Sequence, residues 1–460
     1  MSALEALVSA SGEANLSESL SFELPATSSA IVDRQFSCRA YPTSASTLTP
    51  TGTRTCRIRL GGDAMVAPSS IRLRYTIQNL DTTPVSGATN SASVPSGGVG
   101  LDLAPVSGPW CVWSLVRVLA NGVEVDNIPQ YGRMHEQFAW RLLTQEQQLS
   151  EAMYGWHSSY TASPANGPHP VPGMIAGGAS VTVSHKLMTS LTTQNKFLAL
   201  RYAPLDLEFS LGNASDAFFG SYVHSGTTKV TSQNYAISNI QVCYQASILD
   251  ESVQESFYRA LLASRVLNTP LQQAFQIVQS IPSGSTSYTF SIVRAFSKLT
   301  HVWITFRSKD GNLNTEFLCP SAQNAKMIAS YGSNPYFSDE MPSPSIRVSL
   351  GAKNHPQFEP VATQQEHFSQ LMEVLGAAPM LDRKDYLTNT WMSCFDLRRT
   401  PGDAASAMST RQGDQLRVDI KGLTPWTAAG TAPQGPTEVW ITLLALGVLA
   451  TRESGCQLLD

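Results

Sequence analysis

Charge is scarce in this sequence. Only 14% of its 460 residues are Asp, Glu, Lys or Arg, against about a quarter in ordinary soluble domains, while the hydrophobic fraction is an ordinary 42%. That combination excludes a charged, disordered chain and leaves neutral polar side chains to cover much of the surface. The 31 Lys plus Arg against 35 Asp plus Glu give a net charge of −4, which excludes a globally basic coat held on nucleic acid by phosphate neutralisation. Long hydrophobic runs are missing too. The longest, Val439 to Ala450, is 12 residues, short of the roughly 18–20 that cross a bilayer, and reads as a buried strand. The N-terminus MSALEALVSASGEANLSESL has neither a basic n-region nor a sustained apolar h-region, so no signal peptide is expected. Asn15-Leu-Ser and Asn213-Ala-Ser then read as chance matches to the glycosylation sequon. The seven cysteines are scattered, odd in number and without a C-x-x-C pair, the pattern of reduced thiols in a chain made in a cytosol.

Catalytic signatures are equally absent. No P-loop, H-E-x-x-H or G-x-S-x-G occurs, and the Gly97-Gly98-Val-Gly100 cluster lacks the strand-to-helix context of a dinucleotide site. Asp310-Gly-Asn-Leu-Asn314 lacks the ligand spacing and terminal Glu of a calcium loop and reads as a turn. His135 and His367 lie on helical stretches with no second ligand at i+4, which makes them packing or surface histidines. Asp382, Arg383, Lys384 and Asp385 read as a solvated loop. No enzyme activity, cofactor or metal is expected.

What the chain does have is alternation. Thr55 to Leu60 puts Cys56, Ile58 and Leu60 on one face and Thr55, Arg57 and Arg59 on the other, the pattern of a half-buried strand. Ile71 to Gln78 repeats it, with Arg72 and Arg74 outward. The same period recurs at Leu205–Leu211, Ile240–Tyr244, Tyr288–Ile292, Val302–Phe306, Ile346–Leu350 and Leu416–Ile420. Asn121-Gly122 between two β-branched runs predicts a hairpin with a type I′ turn, and Asp310-Gly311 predicts a second hairpin with a longer loop. Helical spacing is confined to Arg133–Met153, Ser252–Arg265 and Gln364–Leu375, the second opened by a capping-box spacing of Ser252 and Glu255.

The elements run strands, helix, strands, and then repeat. At about 150 residues per domain the length suggests three domains, but all-β units exceed that average, and two fit the repeat. The fold expected is all-β, with two similar tandem domains, a few short helices and a boundary near Leu249. Residues 1–50 read as an extended N-terminal arm, 51–249 as the first domain, 250–450 as a linker helix and second domain, and 451–460 as a C-terminal tail. Three stretches rich in Gly, Pro, Ser and Thr, at 81–109, 156–180 and 423–437, are long enough to be functional loops. Arg57, Arg59, Arg72 and Arg74, on strands read as neighbours, predict one local basic face suited to phosphate or to carboxylates of an adjoining subunit.

Three stretches carry a resemblance. Val112 to Tyr131, a hairpin leading into a helix, Phe197 to Phe209, two apolar strands around a short loop, and Ser291 to Phe306 are similar to segments of the double jelly-roll major capsid proteins of the lineage containing adenoviruses, virophages and polinton-like viruses. In pattern the likeness covers most of residues 50–450, and the compact length is closer to the small viruses of algae and protists than to adenovirus. The resemblance implies two tandem eight-stranded jelly-roll β-barrels per subunit and a homotrimer forming a pseudo-hexagonal capsomer that tiles an icosahedral shell. The partners implied are other copies, neighbouring capsomers, and penton and minor capsid proteins, with direct nucleic-acid contact not expected. The location implied is the virion capsid of a DNA virus, assembled inside the host cell. Residues 81–109 and 156–180 would form an outer tower, and 1–50 with 451–460 would clamp neighbours.

Two readings compete. A single-jelly-roll capsid protein with a projecting domain calls for a basic internal arm, yet residues 1–50 carry only Arg34 and Arg39. A carbohydrate-binding β-sandwich calls for exposed aromatics or two acidic residues in register across a cleft. Trp110, Trp113, Trp156 and Trp426 are its candidates, and each reads first as a packing anchor.

Overall fold

The computed structural model describes residues 32–459 except 82–100, 103–108, 133, 136–137, 139–158, 164–166, 172–173, 176, 215–220, 225–226, 231, 264, 308–341, 358, 376–390, 401–406, 412–414, 424–436 and 454. The first barrel is built from β1 (Val32–Ala40), β2 (Thr55–Leu60), β3 (Arg72–Asn79), β4 (Trp113–Ala120), β5 (Val123–Pro129), β6 (Ser180–Lys186), β7 (Leu205–Leu211) and β8 (Tyr235–Leu249). These strands pair antiparallel in two sheets, ordered β1-β8-β3-β6 and β2-β7-β4-β5. The second barrel uses β9 (Leu267–Ser280), β10 (Ser287–Ile292), β11 (Leu299–Arg307), β12 (Pro342–Leu350), β13 (Lys353–His355), β14 (Ser393–Asp396), β15 (Leu416–Lys421) and β16 (Glu438–Arg452). Its sheets are β9-β16-β11-β14 and β10-β15-β12-β13, so the strand order of the first barrel recurs element for element. Each barrel is a jelly roll, and the chain is a double one.

Alternation explains the strands. On β2 the side chains of Cys56, Ile58 and Leu60 are buried and their neighbours exposed, and on β3 Leu73, Tyr75 and Ile77 point into the same core. Burial pushes the Cys56 thiol up to about 12, so this cysteine behaves as a small apolar group. The predicted hairpin joins β4 to β5, and Asn121 and Gly122 have φ of 48° and 82°, the two positive values that a type I′ turn demands.

Helices α1 (Ser190–Thr193), α2 (Glu251–Leu262) and α3 (Gln364–Leu375) complete the frame. The capping expectation for α2 is corrected: Asp250, not Ser252, is the N-cap, accepting from the Ser252 amide at 3.2 Å. Glu255 instead pairs with Arg259 one turn on, at 2.7 Å. Asp250 outcompetes the serine because a carboxylate is the stronger acceptor for amide groups at the positive end of a helix. The reciprocal box occurs in α3. There Thr363 Oγ1 accepts from the Glu366 amide at 3.2 Å while the Glu366 carboxylate accepts from the Thr363 amide at 3.1 Å.

Both terminal boundaries also move. Val32–Ala40, placed in the arm by sequence, is an edge strand paired along β8, and Leu48 is fully buried and bridged to Ile237. The alternation of this strand is faint because only Phe36, Cys38 and Ala40 contact the core. At the other end, Gly455–Leu459 forms β17, paired with the last residues of β16, so the expected tail is part of a sheet. Of the helix expected over 133–153, residues 134, 135 and 138 are helical and the remainder lies outside the described residues. Outside them too lie the second hairpin turn at 310–311, the charged group at 382–385, residues 1–31 and most of the stretches 81–109 and 423–437, whereas 156–180 is largely described and contains two paired strands, Ser159–Ser163 and Gly167–Val171.

The barrels meet through side chains as well as through α2. Phe138 stands edge-on to Trp303 of β11 at 5.2 Å, Gln273 Nε2 of β9 donates to the Val125 carbonyl of β5 at 2.5 Å, and Lys196 Nζ donates to the Asn268 carbonyl at 3.2 Å. Among the described residues, no helix is long and apolar enough to cross a membrane.

Candidate functional site

The four arginines singled out by sequence do not share a face. β2 belongs to one sheet of the first barrel and β3 to the other, because the chain between them crosses the sandwich. Arg57 and Arg59 therefore point outward on one side of the barrel, and Arg72 and Arg74 on the opposite side. Alternation fixes whether a side chain points in or out, but not which of two stacked sheets its strand joins.

On the β2 side, positive charge is neutralised locally. Arg57 donates to Asp206 of β7 at 2.8 Å, and that carboxylate holds the guanidinium above its usual pKa. Arg117 of β4 contacts Glu124 of β5 at 2.5 Å and Glu208 of β7 at 3.8 Å. Arg59 has no ion pair among the described residues. This face is a mesh of alternating signs, the kind of exposed pairing that contributes little to stability.

The β3 side differs. Strand register lines up Arg39 of β1, Cys243 of β8, Arg72 of β3 and Lys186 of β6 in one row across four strands, with Arg74 in the next row opposite Ser184. Of the remaining outward positions, Gln35, Ser37, Ser238, Gln241, Gln245, Thr76, Gln78, Ser180, Thr182 and Ser184 are uncharged, and the one acidic residue on these four strands is the exposed Asp33, at the bulge that opens β1. Arg72 donates to the Ser184 hydroxyl at 3.3 Å and carbonyl at 3.2 Å, contacts that orient the guanidinium along the sheet. Arg39, Arg74 and Lys186 make no ion pair among the described residues. The face is polar and mainly cationic, and suits carboxylates or other anions presented by a partner. Sequence reasoning missed Arg39 and Lys186. The alternating Ser180–Lys186 segment could have revealed the lysine, whereas Arg39 lies on the strand mistaken for an arm.

Four described histidines, His135, His185, His301 and His367, are buried inside the barrels. His135 stacks on Trp110 with centroids 4.3 Å apart, and His185 stands edge-on to Tyr75 at 5.8 Å, inside the first barrel. His367, on the inward face of α3, is fully buried. In the second barrel His301 lies 3.9 Å from Asp396, a carboxylate that Arg398 grips through Nε and Nη2. Burial lowers the His301 pKa to about 4, with Arg398 adding to the effect and Asp396 opposing it. No group of three or more His, Cys, Asp or Glu among the described residues is placed to hold a metal ion. Trp110 and Trp113, 3% and 0% exposed, are core residues and form no glycan-binding platform, while Trp156 and Trp426 lie outside the described residues.

No family model and no curated protein sequence matches the chain. Solved structures do. The major capsid protein VP54 of PBCV-1, as fitted into the virophage Sputnik, superposes with a TM-score of 0.60 over 95% of this chain and 98% of its own, at 11% identity. The Sputnik virophage structure gives 0.60 over 95% and 91%, at 9% identity, and the Faustovirus major capsid protein 0.55 over 91% and 90%, at 8% identity. Identity this low with coverage this complete means that the fold is shared while most side chains differ. The chain has the double jelly-roll fold of viral major capsid proteins.

Proposed function

We propose that this chain is the major capsid protein of an icosahedral virus, three copies associating into a pseudo-hexagonal capsomer that tiles the shell. The observation that carries the reading is the recurrence of one eight-stranded sheet order twice in a single chain, which gives a trimer six similar barrels and hence near-sixfold packing. The role is mechanical, with no catalytic step. The scarcity of charge fits a subunit with much of its surface in contacts, since the cores of protein interfaces are depleted in charged residues. The cationic row Arg39, Arg72 and Lys186, with Arg74, is assigned to contact with carboxylates of an adjoining subunit. The segment before Val32 is assigned to clamping neighbours, and the loops at 81–109 and 156–180 to the outer tower. Penton and minor capsid proteins complete the partners, and the site of action is the virion.

Negative-stain electron microscopy after size exclusion tests this reading. The expected result is pseudo-hexagonal trimers or shells from the parent chain. The Arg72→Glu/Arg74→Glu variant should keep its circular dichroism spectrum and lose the larger assemblies. A parent that sediments as a stable monomer at micromolar concentration overturns the proposal.

A further inference from the structure

At the seam between the barrels, β5 carries a bulge. Leu119 of β4 pairs with Glu124 and Val118 with Asp126, leaving Val125 as the extra residue. A bulge frees backbone groups from the ladder and re-aims side chains, and here it turns Val125 and Asp126 inward together. The Val125 carbonyl receives the Gln273 amide of the second barrel. Asp126 Oδ2 accepts from the Ser190 amide at 2.8 Å and the Ser190 hydroxyl at 2.7 Å, tying β5 to α1. Both β5 and α1 pack against β9 of the second barrel, so one bulge connects three elements across the seam.

Asp126 is 3% exposed, and its Oδ1 is buried with no hydrogen-bond partner among the described residues. It also lacks a counter-charge among them. α1, β9 and the 3-10 turn Pro68–Ser70 contain no ionisable side chain. β17, which also packs on β5, contributes only Cys456, and burial raises that thiol's pKa. Glu124 and Arg117, the charged groups of the β4–β5 hairpin, bind each other on the outward face. A carboxylate in such a place is disfavoured when ionised.

We propose that the Val125–Asp126 bulge is a proton-operated clasp between the two barrels, closed when Asp126 is protonated and weakened when it ionises. Burial raises the Asp126 pKa from 3.8 to about 6, partly opposed by hydrogen bonds from Ser190 and from the Leu191 amide. The stabilisation from the protonated group is therefore full below about pH 4 and is lost as pH rises through about 6. Across that window the opening equilibrium changes tenfold per pH unit, so the seam opens up to about a hundredfold more often in alkaline than in acidic solution.

Hydrogen exchange of the intact chain at pH 5 and pH 8, corrected for intrinsic rates, tests the clasp. In the parent, protection of 123–129 and 267–273 should fall about tenfold between the two pH values, whereas Asp126→Asn should hold it constant within twofold. Equal pH dependence in parent and variant, or a flat parent, overturns the proposal. If Asp126→Asn does not fold, Ser190→Ala decides. Removing the hydroxyl that favours the carboxylate should move the midpoint of the transition to higher pH, and an unmoved midpoint counts against the clasp.

Discussion

Replacing His367 with glutamine should remove a pH dependence that belongs to the second barrel alone. The imidazole is 0% exposed, with Nε2 3.0 Å from the Pro344 carbonyl and Nδ1 2.8 Å from Ser393 Oγ. A carbonyl only accepts, so Nε2 carries the proton and Nδ1 accepts from the serine hydroxyl. The neutral ring is thereby satisfied at both nitrogens while it joins α3 to β12 and β14, and it stands edge-on to Trp391 at 5.3 Å. Burial lowers its pKa from 6.5 to about 4, against smaller opposing effects of Pro344 and Glu366. The folded-state pKa is depressed, so the stabilisation is fully present above pH 6.5 and is lost as pH falls through about 4. With a factor of ten in equilibrium worth about 1.4 kcal/mol, that difference between folded and unfolded chain amounts to about 3 kcal/mol. Glutamine offers an uncharged donor and acceptor of similar reach. Urea unfolding at a series of pH values should show His367→Gln less stable than the parent at pH 7, with the gap narrowing by about 3 kcal/mol by pH 4. Parallel curves would refute the reasoning, because they would mean that the ring either stays neutral throughout or takes up its proton without cost. His301 acts in the same direction and Asp126 in the opposite one. Acid therefore weakens the second barrel internally while tightening the seam.

Trp113→Ala should cost about 3–5 kcal/mol of folding stability, because its ring is fully buried and packs against Tyr75 at 5.3 Å and Phe209 at 5.5 Å; chemical denaturation of the isolated subunit measures it. Gly122→Val should cost about 1–2 kcal/mol through backbone strain alone, since φ is +82° and a Cβ there would meet no neighbouring atom. Asn121→Gly beside it should be nearly neutral, and similar losses in both variants would contradict a turn-based explanation.

Much of the fold was legible because period-2 alternation depends only on each strand having one wet and one dry face. β2, β3, β7, β10, β12 and β15 all meet that condition. The Asn-Gly turn was legible because its two residues tolerate positive φ, and α3 because its apolar stripe is local. β1 was not, since an edge strand buries too little of either face to leave a pattern. The cap of α2 was misassigned because Asp250 and Ser252 are both good caps, and only the backbone geometry chooses between them.

The candidate site divides the same way. Sequence by itself determined that Arg57, Arg59, Arg72 and Arg74 point outward, since their neighbours at i±1 are apolar. Only the tertiary structure decided that the two pairs lie on opposite sheets, because sheet membership depends on how the connections cross the sandwich. It also brought Arg39 and Lys186, 147 positions apart in the chain, into one row with Arg72. The clasp at Asp126 had no sequence signal at all. An aspartate becomes a proton switch only when folding removes water and counter-charge together, and both losses come from segments distant in sequence.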